Sequence, residues 1–367
     1  MHDGDIDQAT RAALDRYGFD AQLFARHRNE VAAGALAPGK GVVAGTIELP
    51  DPRVVSSLPG PGSDPHAEFT RLGRDCIAQG QVALLILAGG MATRFGGGVK
   101  ALVDAVGGKT FLQLKLADAR AAGAGAGGVV PVWFMTSFAT DLAVRTALGD
   151  AQAEAFAQFI SIRMDRGGTI FRTADGKPSL YAPGHGDMSF ALRRAGLLQR
   201  FRARGGRLVI MCNVDNLAAT VDPTVIGAHL AAGRPMTAEL VRKDPGDVGG
   251  APARIDGHTQ IVEAFRFPPA FAQDRIPWFS TNSLVFDAAE LERDFALDWF
   301  AVEKKVEGRP ALQVERLVGQ LSAHMPVTFL EVERAGLASR FEPIKDPDEL
   351  VRRRPNLESL LLARGIL

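Results

Sequence analysis

From Gln81 onward, short aliphatic or β-branched runs alternate with amphipathic stretches, and no other feature restricts so sharply what this chain can fold into. The runs fall at 82–88, 129–135, 159–163, 207–213, 236–242, 281–286 and 326–332 and are read as strands. Between them, apolar residues at helical spacing predict helices at about 110–122, 138–148, 187–203, 222–232 and 311–322. Such alternation builds a parallel or mostly parallel sheet covered by helices on both faces. Ligands of these sheets bind outside the carboxyl ends of the strands, so the residues that follow each strand carry the functional information. One segment breaks the pattern, since 251–263 predicts a hairpin turning at Asp256-Gly257. Ahead of the alternation, residues 5–34 read as two short helices divided near Gly18, 35–65 as an extended Pro- and Gly-rich wrap, and 65–79 as a helix feeding the first strand. Ala119 to Gly128 reads as a small-residue linker.

Composition then excludes several classes of function. A chain of 367 residues makes two domains at roughly 150 residues each. Its 42 Lys+Arg balance 42 Asp+Glu, so it has no basic excess with which to neutralise a nucleic acid. Cys76 and Cys212 are far apart and lie in apolar surroundings, which suits buried reduced thiols and neither a disulfide framework nor a zinc site. The start, Met1-His2-Asp3-Gly4-Asp5, is acidic and unlike a signal peptide, and no apolar run approaches the roughly 18 residues of a spanning helix. A cytoplasmic protein without a membrane partner is expected. Lysine is scarce, at 9 residues (40, 100, 109, 115, 177, 243, 304, 305 and 345) against 33 Arg, so each Lys invites a question about its purpose.

The first strand runs into Leu87-Ala88-Gly89-Gly90-Met91-Ala92-Thr93-Arg94-Phe95-Gly96-Gly97-Gly98-Val99-Lys100. A glycine-rich turn lets backbone N–H groups approach a phosphate chain, and Arg94 and Lys100 supply the charge that a triphosphate demands. It has neither the Gly-Lys-Ser/Thr ending of a P-loop nor the Gly-x-Gly-x-x-Gly of a dinucleotide fold. Asn213, Asp215 and Asn216 stand where the apolar run Leu208 to Met211 emerges, again at the ligand edge. A lone carboxylate beside a triphosphate suits Mg²⁺, which takes one or two carboxylates and completes its shell with phosphates and water. An Asx turn ending the strand accounts for Asp215 equally well.

The glycine loop with its Arg and Lys resembles the nucleotide loop of sugar nucleotidyltransferases. Further segments in one order narrow the resemblance to the UDP-glucose pyrophosphorylase (UTP:glucose-1-phosphate uridylyltransferase) family of the eukaryotic type. They are Met135 to Thr140, Tyr181-Ala182-Pro183-Gly184-His185-Gly186-Asp187, Asn213 to Asp222, Lys243 with Gly249-Gly250 and Glu263, Ser280-Thr281-Asn282-Ser283, Gln313-Val314-Glu315 and Phe341-Glu342-Pro343-Ile344-Lys345. The match covers roughly residues 81–348. It implies a Rossmann-like, GT-A-like α/β nucleotidyltransferase fold: an N-terminal segment over 1–80, a catalytic domain over 81–330 with a sugar-binding hairpin region at 245–285, and a short C-terminal segment over 331–367 carrying Lys345. About 20 residues follow Lys345, and the family's C-terminal β-helix is therefore not expected in this sequence.

The resemblance also implies roles. Leu87, Ala88, Gly89, Gly90, Gly184 and Asn213 would hold the nucleotide, and Gln158 would face uracil, to which an amide offers both donor and acceptor. Alone, Gln158 reads as the surface residue of a helix end. His185, Lys243, Gly250, Glu263 and Asn282 would meet the sugar or its phosphate, although Glu263 would also serve as a cross-strand surface partner. Arg94, Lys100, Lys305 and Lys345 would neutralise phosphates, where a solvated surface charge is the ordinary reading of a Lys. Asp215 would bind Mg²⁺. Asp187 reads as a helix N-cap and not as a catalytic acid.

The implied reaction is in-line attack of glucose 1-phosphate on the α-phosphorus of UTP, giving UDP-glucose and pyrophosphate without a covalent intermediate. Ala92, Val99, Ser280 and Ser283 depart from the family pattern, the two serines beside the sugar. Galactose or an N-acetylhexosamine phosphate is therefore the alternative substrate, although the His-Gly-Asp turn speaks against an acetylated one. A silent nucleotide-sugar binder is the alternative outside catalysis, and retention of all the phosphate-facing cations speaks against it. Since Lys100, Lys243, Lys304, Lys305 and Lys345 fall in or beside these positions, the empty pocket is expected to be strongly cationic.

Overall fold

The computed structural model describes residues 6–367, so the acidic start read above lies outside the described residues. Its centre is an eight-stranded sheet made of β1 (Val55–Ser57), β2 (Val82–Leu87), β3 (Val132–Thr136), β4 (Ala153–Ala157), β5 (Leu208–Asn213), β6 (Met236–Arg242), β7 (Trp278–Asp287) and β8 (Val327–Glu331), in the order β1-β8-β6-β7-β5-β2-β3-β4. All neighbours pair in parallel except at β7, which is antiparallel to both β5 and β6. Alternate residues of β2 and β5 enter different cores. Leu84, Ile86, Ile210 and Cys212 face one, and Ala83, Leu85, Val209 and Met211 the other, as a sheet buried on both faces requires.

Five helices cover the first face: α3 (Asp64–Ala78), α4 (Phe111–Ala126), α5 (Asp141–Leu148), α8 (Pro223–Ala232) and α9 (Pro347–Ala363). Their starts are written locally. Thr110 and Gln113 form a capping box on α4, and Asp222 and Asp346 cap α8 and α9 ahead of a Pro in the first turn. On the second face pack α6 (Met188–Arg194), α7 (Leu197–Ala203) and the 3₁₀ turn Val318–Ala323. The N-terminal helices α1 (Gln8–Arg16) and α2 (Ala21–Ala32) build a smaller core with Ile160, Ile162, Met164, Leu312 and Val314. The first core runs from Cys76 to Ile366, so it takes in residues on both sides of the boundaries expected near 80 and 330.

Several elements differ from the sequence reading. The sheet's edge strand is 153–157, and the expected strand at 159–163 shrinks to the pair Ser161–Ile162 bonded to Leu180–Tyr181. The expected helix at 311–322 is a strand, Arg309–Glu315, paired with Phe300–Val306 and followed by a 3₁₀ turn. Burial of Ala311, Leu312, Gln313 and Val314 in succession removed the alternation that marks a half-exposed strand. The supposed linker 119–128 is mostly the last turns of α4, and the expected helix 187–203 divides at Gly196 into α6 and α7. Residues 251–263 do form a hairpin, Ala251–Ile255 with His258–Val262, turning at Asp256-Gly257. The whole excursion from β6 to β7 leaves and rejoins the sheet at one neck, where the Lys243 N–H donates to the Pro277 carbonyl at 2.9 Å.

Candidate active site

Where β2 and β5 end side by side, Leu87 opposite Asn213, their following loops are brought together. After β2, the Ala92 N–H donates to Gly98 O and the Lys100 N–H to Gly90 O, folding the glycine loop back on itself. Gly96, Gly97 and Gly98 all have positive φ, and the turn forms with Ala92 and Val99 in place. Gly89 is needed for a different reason. A Cβ there would lie 2.4 Å from the Gln158 side-chain nitrogen, so only glycine lets this amide rest against the loop. Gln158 is 6% exposed, directly after β4, and its Oε1 is buried without a hydrogen-bond partner. A buried unpaired carbonyl is costly, and this one lies beside the glycine loop with an acceptor unused.

After β5, Asp215 projects from a turn and forms an ion pair with the Lys100 ammonium. Asn216 behind it is buried and accepts the Glu342 N–H at 2.9 Å, while the Ile344 N–H donates to the Asp215 carbonyl at 3.1 Å. These bonds fasten the segment Phe341–Lys345 alongside the turn, which is how Lys345 reaches the site. β7 contributes through an irregularity. Its register against β6 slips between Ala238/Leu284 and Leu240/Ser280, and Asn282 takes φ +58°, a conformation unusual outside glycine. The bulge turns Asn282 across to β5, where its Nδ2 donates to Asn213 Oδ1 at 3.0 Å.

His185, Asn213, Asp215, Glu263, Asn282 and Lys345 line one cavity of about 240 Å³, with Gly249, Gly250, Ser280 and Gly319 in its wall. His185 Nδ1 accepts the Val318 N–H at 3.0 Å, so the imidazole proton sits on Nε2. Burial pushes its pKa down to about 4, which keeps the ring a neutral donor. Glu263 makes no side-chain hydrogen bond among the described residues, and burial raises its carboxyl above the ordinary value, with Arg266 pulling it back. This is a carboxylate aimed into a cavity, not the cross-strand surface partner of the alternative reading.

Other residues fall elsewhere. Leu87, Ala88, Gly89, Gly90 and Gly184 offer backbone, with Gly184 at φ +98° against Arg316 O. Arg94 is exposed on the glycine loop. Lys243 pairs with Asp274 at 3.5 Å and is not among the lining residues. Lys305 stands exposed on the hairpin strand Phe300–Val306, opposite Pro310, and the structure does not bring it to the cavity. Asp187 does not cap α6 with its side chain. It is fully buried, bonded to Arg316 Nε at 2.7 Å and the Phe159 N–H at 3.0 Å, because a carboxylate at that depth needs a cation and donors. Nor is the cavity an uncompensated cationic well, since Lys345 shares its walls with Asp215 and Glu263, and Lys100 outside them already holds Asp215.

A mostly parallel sheet whose glycine loop and acid-bearing turn meet at adjacent strand ends has the architecture of a nucleotidyltransferase. The chain belongs to the UTP–glucose-1-phosphate uridylyltransferase family, whose model matches residues 67–362. A probable UTP–glucose-1-phosphate uridylyltransferase of Schizosaccharomyces pombe is 26% identical over 92% of this chain and 69% of its own length. The enzyme of that name from Solanum tuberosum is 27% identical, and the match covers 76% of this chain but 62% of the potato protein. Among solved structures, the Trypanosoma brucei UDP-N-acetylglucosamine pyrophosphorylase has a TM-score of 0.75 at 22% identity, covering 94% of this chain and 79% of that one. A Leishmania major UDP-glucose pyrophosphorylase in complex with UDP-glucose has 0.73 at 20%, covering 95% and 79%. The fold is therefore common to enzymes named for two different sugars and does not select between them.

Proposed function

We propose that this protein is a UTP:sugar-1-phosphate uridylyltransferase that makes UDP-glucose and pyrophosphate from UTP and glucose 1-phosphate. The observation that carries the reading is the single cavity in which a lone Asp, a neutral His donor, an unpaired Glu, an Asn pair and a Lys converge beside the glycine loop. The sugar phosphate is already an anion at neutral pH, so the site has no need of a general base. Its task is positioning and charge compensation. Gln158 would read the uracil edge from beside Gly89. His185 Nε2–H and the Glu263 carboxylate, one donor and one acceptor, suit the hydroxyls of a hexose. Lys345, Lys100 and Arg94 would offset charge on the triphosphate and the departing pyrophosphate, and Lys305 would contribute only through contacts outside the cavity walls.

Mg²⁺ fits the residues present. No group of three or more His, Cys, Asp or Glu among the described residues could hold an ion unaided, and Asp215 offers one carboxylate beside a phosphate-binding loop. When bound there, the ion would supply positive charge to the phosphate oxygens. The structure contains no helix among the described residues long and apolar enough to cross a membrane, and both free cysteines are buried. These facts support a cytoplasmic enzyme.

The test is pyrophosphate release from UTP and Mg²⁺ with glucose, galactose and N-acetylglucosamine 1-phosphates in parallel. Release with glucose 1-phosphate is expected, and silence with every sugar would remove the catalytic reading. Lys345→Ala should lower turnover on the order of 100-fold with the fold intact, the scale for losing one charge-stabilising group. Near-normal turnover would take Lys345 out of the chemistry.

A further inference from the structure

Beneath the turn that carries Asp215 lies a cation that the proposed reaction does not use. Lys115, on α4, is 1% exposed, with its sequence neighbours Leu114, Leu112 and Ala119 also in the core. Its Nζ donates to the carbonyl of Asn216 at 2.7 Å and to that of Ala219 at 2.6 Å. The loop 213–222 folds inward, and without Lys115 the Ala219 carbonyl would be buried without a donor while that of Asn216 would keep only the Ala219 N–H at 3.3 Å, which is costly. An ammonium satisfies both at once from a single point, and hydrogen bonds from a charged donor are roughly twice as strong as neutral ones. The planar fork of Arg, used for most cations of this chain, keeps the charge but replaces that point donor only in part.

The rest of the loop is gripped in the same way. Asp118, next to Lys115 on the same face of α4 and 4% exposed, accepts the Val221 N–H at 3.0 and 3.2 Å. Arg364 donates to Ala218 O at 2.9 Å, and the buried Arg340 donates to Thr220 O at 3.1 Å while paired with Glu239. Lys115 shares its hold on Asn216, the residue adjoining Asp215, with the Glu342 N–H, which donates to Asn216 Oδ1 at 2.9 Å, and with the Arg340 carbonyl, which accepts from Asn216 Nδ2 at 3.1 Å, and it is the hold that reaches Asn216 from α4.

We propose that Lys115 is a positioning residue: it fixes the loop 213–222 in the shape that presents the Asp215 carboxylate to the phosphate site. The proposal rests on the uridylyltransferase reading for its kinetic consequence and on geometry alone for its structural one. A misplacement of about 1 Å at a reacting group costs on the order of 100-fold in rate. Lys115→Met keeps the length of the arm and removes the donors.

Hydrogen exchange and kinetics of Lys115→Met, each compared with the unsubstituted protein, test the idea. Faster exchange of the 213–222 amides is expected, with the β2 and β5 amides unchanged. In the kinetics, kcat should fall on the order of 10- to 100-fold with both KM values moved by less than about 3-fold. The Mg²⁺ concentration for half-maximal rate should rise, and Lys115→Arg, which keeps charge and donors, should recover part of kcat. Unchanged exchange of 213–222, or a kcat within about 2-fold of the parent, overturns the proposal. If Lys115→Met does not fold, Lys115→Gln, with an N–H donor on a shorter uncharged arm, is judged by the same outcomes. Absence of UDP-glucose from the unsubstituted protein would instead count against the function, and the exchange result would still decide the role of Lys115.

Discussion

Asp118 carries a cost that pH should expose. Burial raises its pKa to about 6 from an ordinary 3.8, against the pull of Lys115 and the Val221 N–H. The folded chain thus binds this proton more tightly than the unfolded chain. The penalty on the ionised form is fully present above about pH 6 and is relieved as pH falls from there toward 3.8. By itself this group makes stability decline as pH rises through that window, by an amount on the order of 2–3 kcal/mol. Asp118→Asn keeps an acceptor for Val221 and removes the titration, so its stability should vary less between pH 4 and pH 6. Denaturation midpoints across that range check it, and an unaltered pH dependence would refute the assignment. Residues were legible from sequence where chemistry and backbone position coincide. Asp215 and Asn213 end a strand, and His185 sits in a glycine turn. Lys115 and Asp118 were not, because a charge on the apolar face of a helix is read as noise until its partners, a hundred residues away, are in place. Asp187 misled for the same reason, its position before a helix suggesting a cap while Arg316, held between the rings of Phe190 at 4.0 Å and Trp299 at 4.7 Å, claimed its carboxylate.

Helices α3 and α8 meet more closely than ordinary side chains allow. A Cβ on Gly73 would stand 1.9 Å from the Pro223 carbonyl oxygen, and one on Gly227 would stand 1.9 Å from that of Phe69. Two glycines therefore make the crossing, and α8 leads directly from the Asp215 loop through its cap Asp222. Gly73→Ala should destabilise the protein by about 1–3 kcal/mol through overpacking, more than the gain in helix propensity returns. A thermal midpoint at or above that of the parent would show that the helices can part without loss. At this scale periodicity located most central strands, and failed where it was masked. The strand Ala153–Ala157 is rich in alanine, a poor strand former, and its pattern is weaker than that of the more apolar 159–163. Helix α9 contains Pro355, which punctuates its pattern, yet Leu350, Leu357, Leu360 and Leu361 on it are buried in the main core.

Taken as a whole, the molecule places its charges in opposed pairs before any substrate arrives. The balance of 42 against 42 is repeated locally, with Lys100 on Asp215, Lys243 on Asp274 and Arg340 on Glu239. Under the proposed function a triphosphate would exchange the Lys100–Asp215 partnership for new ones. The single antiparallel strand has a further consequence. Because β7 runs against its neighbours, it begins at the edge where they end, and the excursion between β6 and β7 departs and returns through one closed neck at Lys243 and Pro277. Residues 244–276 carry Gly250 and Glu263 into the cavity, while the glycine loop and Gln158 belong to strands beyond it. Under the proposed function Gly250 and Glu263 would meet the sugar from this excursion and Gln158 would meet the uracil from outside it, so part of the sugar choice would be separable from the nucleotide choice. Exchanging 244–276 for the corresponding segment of a relative that prefers another sugar phosphate should move the sugar preference and leave the KM for UTP within about 3-fold. A chimera that keeps its glucose preference while binding UTP normally would place the selectivity in the sheet itself. If the exchange succeeds, this excursion is a cassette, and the fold can acquire new substrates without rebuilding the machinery that handles the nucleotide.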